Sequence, residues 1–141
     1  AVANQRSFFG FTSSTSATST TQEPNALTNM IGIGNGLGQT TLRVYANDGS
    51  GIAAEVDLGA SFPANDATAV YDFTLFAVPN GSTVGYEVTN LSTGAHVLGT
   101  IATADLPAST QFLCWHGYMN NGGTASAVNF DCMRVYTETD Y

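Results

Sequence analysis

At 141 residues, with 43% hydrophobic and only 10% charged residues, the chain is long enough and apolar enough to close a core. Three arginines and no lysine stand against eleven acids, a formal charge of −8, which argues against a nucleic-acid partner and against an anionic membrane surface. No apolar run approaches the roughly 20 residues of a membrane-spanning helix, and no basic stretch followed by an apolar one marks a signal peptide.

The polarity comes from Ser, Thr, Asn and Gly, which suit strands and turns better than helices. Short strands are expected at 7–12, 30–33, 41–46 and 55–58, with turns at Asn35-Gly36 and Asp48-Gly49. Residues 13–21 form a Ser/Thr run, expected as an exposed loop, with a polar edge strand as the alternative. Pro24 opens at most one or two helical turns over 24–29. Over 70–79, Tyr71, Phe73, Leu75 and Ala77 share one strand face, with Asp72 and Thr74 on the other. A turn at Asn80-Gly81-Ser82 leads to 84–91, where Val84, Tyr86 and Val88 alternate with Glu87 and Thr89; a turn around Gly94 leads to 96–101. These three segments read as an antiparallel meander. Residues 111–118 form the next strand. Asn120-Asn121-Gly122-Gly123 turns the chain, and 126–137 returns with Val128, Phe130, Cys132 and Tyr136 on one face. About nine short strands at hairpin spacing predict one all-β domain over 1–141, an antiparallel β-sandwich or jelly roll with a short N-terminal arm at 1–6.

Constellations that could carry chemistry are sparse. Cys114 and His116 share a strand face, but shared parity does not activate a thiol. The two cysteines, Cys114 and Cys132, flank a turn; reduced, buried thiols are expected, with a disulfide as the alternative. Glu55 with Asp57, and Asp72 with Glu87 across a hairpin, are paired carboxylates of the kind that hydrolyse glycosides, yet acids on a solvent face are routine. The alternating glycines of IGIGNGLG (Gly32, Gly34, Gly36, Gly38) depart from phosphate-loop spacing and read as a hairpin with closely packed backbones. Asn47-Asp48-Gly49-Ser50-Gly51 lacks the acids of a calcium loop and reads as a turn; no Cys/His spacing fits zinc. No metal, cofactor or catalytic residue is therefore expected. Carbohydrate recognition stays open: Trp115, His116, Tyr118, Asn120 and Asn121 sit on and beside one hairpin, as stacking rings and hydrogen-bonding amides. Trp115 has the opposite parity to His116 and Tyr118, so it is expected as a core anchor with the others at the rim.

The order of Ser7-Phe8-Phe9-Gly10-Phe11-Thr12-Ser13-Ser14-Thr15, Thr28-Asn29-Met30-Ile31-Gly32-Ile33-Gly34, Asp57-Leu58-Gly59, Phe62-Pro63-Ala64-Asn65, the strand from Tyr71 to Pro79, and the closing Tyr136-Thr137-Glu138-Thr139-Asp140-Tyr141 resembles the C-terminal jelly-roll domains of tailed-phage structural proteins, including tail fibres and tailspikes. The resemblance covers nearly the whole chain. It implies a concanavalin-like sandwich, a virion protein made in the host bacterial cytoplasm, and a homotrimer. Its partners would be other copies of itself, other virion proteins and host-surface carbohydrate. The function expected is a non-enzymatic receptor-binding module. The alternatives are a capsid decoration or head-fibre protein whose arm at 1–6 adds a strand to a neighbour, and, last, a polysaccharide-degrading domain.

Overall fold

A computed structural model describes residues 4–50, 53–79 and 81–138. Its strands are β1 (Arg6–Thr12), β2 (Met30–Asn35), β3 (Arg43–Asn47), β4 (Ala54–Asp57), β5 (Tyr71–Phe76), β6 (Thr83–Asn90), β7 (Ala95–Ala102) and β8 (Cys114–Asn120). They form a five-stranded sheet in the order β4-β3-β2-β1-β8 and a three-stranded sheet in the order β5-β6-β7. Every pairing is antiparallel, and an isolated bridge joins Thr41 to Pro63. The expected antiparallel β-sandwich is formed. Its winding is two meanders of consecutive strands, and β8 returns over a long connection to lie beside β1. That return is one Greek key, whereas a jelly roll is built on two.

The core between the sheets follows strand alternation. Ile31, Ile33, Val44 and Ala46 of the large sheet meet Tyr86, Val88 and Ile101 of the small one. Tyr71, Phe73 and Leu75 of β5 pack against the same cluster from one face, as their spacing of two requires.

The large sheet is buried on its outer face as well. Phe8, Met30, Tyr45 and Tyr118 form a second cluster there, roofed by Leu27. The roof is the connection between β1 and β2, whose only regular piece is a 3-10 turn at Pro24–Ala26. It is tied down by polar contacts. Asn47 donates to the carbonyls of Asn25 at 3.2 Å and Leu27 at 3.1 Å, and the Tyr118 phenol donates to the Gln22 carbonyl at 3.2 Å. The Arg6 guanidinium, 7% exposed, pairs with Glu23. Two-sided burial explains why all six residues of β2 are buried and why that strand shows no alternation. It also explains Gly32. A Cβ there would lie 2.5 Å from the Phe9 carbonyl oxygen and 2.8 Å from the Phe8 ring, so only glycine lets the ring lie on the strand.

Two expectations are corrected. Residues 126–137 form no strand. The turn at Gly122 and Gly123 is made, with φ of 60° and 79°, but beyond it Phe130 packs edge-on against Phe9 at 4.6 Å. That contact draws the chain under the inner face and away from the edge of β8. The two thiols are free but exposed, not buried, because Cys114 opens an edge strand and Cys132 lies in the unpaired C-terminal segment. The Ser/Thr run at 13–21 is the exposed loop expected, and it leads into the roof at 22–27. Of the arm expected at 1–6, residues 1–3 lie outside the described residues, and Arg6 is already the buried first residue of β1.

Candidate functional site

The register of β1 with β8 sets Phe9 opposite Gly117 and Phe11 opposite Trp115, all on the inner face. Trp115 stands edge-on to Phe11, with ring centres 6.1 Å apart and planes at 79°. Phe130 stands edge-on to Phe9 from the C-terminal segment. Gly117 is the floor between them: a Cβ there would touch Phe9 at 3.3 Å, Trp115 at 3.7 Å and Phe130 at 3.8 Å. Trp115 and Phe130 are each 41% exposed. The result is a shallow aromatic notch, closed behind by Phe9 and Phe11 and open to solvent between two half-exposed rings. Such a surface stacks on a flat apolar ligand face, a sugar ring among them.

Of the five residues singled out from sequence, only Trp115 reaches this notch. His116, Tyr118 and Asn120 lie on the outer face, as the period of two demands. Tyr118 is 7% exposed and holds the roof; burial first, and then the Glu23 carboxylate, pushes its phenol well above the ordinary value. Asn120 donates to the Gln22 carbonyl at 3.3 Å. The His116 ring is half-buried, edge-on to Tyr118 at 6.0 Å. Asn121 braces the following turn, donating to the carbonyls of Thr124 at 2.6 Å and Ser126 at 2.9 Å. The expected assignment is thus inverted: Tyr118 is the anchor and Trp115 the half-exposed ring. Phe9, Phe11, Gly117 and Phe130 were missed. Phe9 and Phe11 share parity within β1, but that they meet Trp115 depends on a long-range register.

The other constellations are committed elsewhere. The Cys114 thiol donates to the Thr12 carbonyl at 3.3 Å. Arg43 lies between Glu55 at 3.7 Å and Asp57 at 3.1 Å. The Gly59 amide and the Thr41 hydroxyl bonding Asp57, followed by Arg43, hold its carboxyl below the usual range, the opposite of what a general acid needs. Asp72 faces Thr89 across the β5–β6 hairpin, and Glu87 turns to His96 at 2.8 Å. Ser50 donates to Asp48 from both its amide and its hydroxyl, closing the turn that had been weighed against a calcium loop.

Comparison with family models, with curated proteins and with solved structures finds no match for this chain.

Proposed function

We propose that the chain is a non-enzymatic binding module of a tailed-phage particle, attaching to host-surface glycan through the notch of Trp115, Gly117 and Phe130. The observation that carries this reading is the pair of half-exposed rings flanking a glycine floor, backed by the partly buried Phe9 and Phe11. Phe11 and Phe9 hold the two rings edge-on beside Gly117, so that together they present one aromatic surface on which a ligand face can stack. Each stack contributes about 1 kcal/mol beyond area burial, so a single site binds weakly and several copies on one particle bind tightly by effective concentration.

The test is binding of the fluorescently labelled chain to host cells and to their purified polysaccharide. Trp115→Ala is expected to lower binding at least tenfold (about 1.4 kcal/mol) with the thermal midpoint nearly unchanged, because the ring is half-exposed. Tyr118→Ala is not an equivalent probe, since it unroofs the outer face. Undiminished binding by Trp115→Ala refutes the notch as the site. Binding to expanded capsids in place of cells, or shortening of the polysaccharide on incubation, refutes the module's role.

A further inference from the structure

The two sheets of the sandwich have four edges, and three are blunted. β4 is only four residues long and carries Glu55 and Asp57. β5 carries Asp72, and its first residue is pinned through the Tyr71 phenol to the Pro63 carbonyl at 2.6 Å. β8 also lacks Asp, Glu, Arg and Pro, but the roof tied to Tyr118 and Asn120 lies against its outer face and Phe130 against its inner one. The fourth edge, β7, is unlike them. It is eight residues long, Ala95–Ala102, and pairs with β6 in an unbroken register along its length. It contains no Asp, Glu, Arg or Pro, and its outer face shows Leu98 at 60% exposure. Charge, proline, bulges and shortness are the means by which edge strands are kept from pairing, and β7 has none of them.

The chain also holds a segment with the opposite deficit. Residues 131–138 are exposed throughout and, among the described residues, join no ladder. Met133 is 88%, Val135 47% and Tyr136 65% exposed. The segment matches β7 in length and alternates Met133 and Val135 with Cys132, Arg134 and Tyr136. Arg134 packs on the Tyr136 ring at 5.3 Å and makes no ion pair among the described residues.

We propose that residues 131–138 of one copy add as a strand to the open edge of β7 on a second copy. Backbone hydrogen bonds supply the affinity, and alternation sets the register. Met133 and Val135 then continue the inward row of Val97 and Ile101. Arg134 falls on the outer face, the side on which the half-exposed Glu87 of β6 meets His96 of β7 at 2.8 Å. The charge of −8 on each chain does not oppose the contact locally, because the accepting strand itself bears no acid. Each chain gives one strand and accepts one, so a closed assembly, by mutual exchange or as a ring, leaves no donor or acceptor unused. The proposal deepens the self-association expected with the particle reading. Its test uses the purified chain alone, with neither glycan nor particle, so the two fail separately.

The experiment is the mass of the purified chain in solution at tens of micromolar, for three proteins. The unaltered chain is expected at a whole multiple of the monomer mass. Val135→Pro, which breaks the donated strand, and Leu98→Lys with Thr100→Lys, which sets two cations on the accepting edge against Arg134, are each expected as monomers with an unchanged strand signal in circular dichroism. Mixing the two variants restores one working donor and one working acceptor, and a one-to-one pair is expected. A monomeric unaltered chain, an oligomer that survives Val135→Pro, or a mixture that stays monomeric overturns the proposal.

Discussion

A single methyl group is expected to matter most at Gly32, where the Phe8 ring and the Phe9 carbonyl already fill the space a Cβ would need. Gly32→Ala is expected to destabilise the fold by about 1–3 kcal/mol, read from the midpoint of chemical denaturation. Arg6→Ala removes a buried cation from Glu23, whose side chain is 32% exposed. Partial hydration of the abandoned carboxylate limits the expected loss to about 2 kcal/mol, below that of a fully buried pair. Tyr71 gives the alkaline limit. Burial, with Asp66 nearby, pushes its phenol up to about 12. The folded chain therefore keeps a proton that the unfolded chain releases near pH 10; this stability is complete below about pH 10 and is lost as pH rises toward 12. Tyr45 and Tyr118 are pushed up by burial in the same sense. Phenolate absorbance from these three of the six tyrosines is expected only as the fold opens, which a titration followed by absorbance and circular dichroism together would show. At this scale the sequence disclosed the crowding of IGIGNGLG, because alternating glycines in a strand signal close approach. It did not disclose Phe8 as the occupant, which depends on cross-strand register.

Among the elements, the β5–β6–β7 meander was legible in order and facing, since its strands alternate; the strand expected over 70–79 stops at Phe76, Ala77 is exposed, and Asn80 of the expected turn lies outside the described residues. Residues 126–137 show a similar alternation yet form no ladder, because Phe130 finds Phe9 before it finds a strand partner. Periodicity reports which side chains share a face; it does not report whether a neighbouring backbone lies in reach. The roof over the outer face was illegible for a different reason. It is held by Asn47, Tyr118 and Arg6 through polar bonds to residues 22–27, and nothing in so short a segment names partners that distant in sequence. Tyr118→Phe removes the bond to the Gln22 carbonyl and keeps the ring. It is expected to cost about 1 kcal/mol, and to show chiefly as faster proteolysis within 13–22 while the sandwich core stays protected from hydrogen exchange.

For the molecule as a whole, strand number and turn spacing were enough to give the antiparallel sandwich. They could not give the notch, whose parts come from β1, β8 and the C-terminal segment. That assembly exists only because Arg6–Thr12 pairs along its length with Cys114–Asn120. The same pairing has a consequence for biosynthesis. β1 must wait for β8, 102 residues further along at the Thr12–Cys114 pair, before its second flank is satisfied, and contacts so distant in sequence fold slowly, on the order of milliseconds to seconds. A nascent chain halted before Cys114 presents the backbone of β1 as a bare margin, open to any extended peptide nearby. Emergence of β8, not of the hydrophobic strands before it, is the moment at which that margin closes.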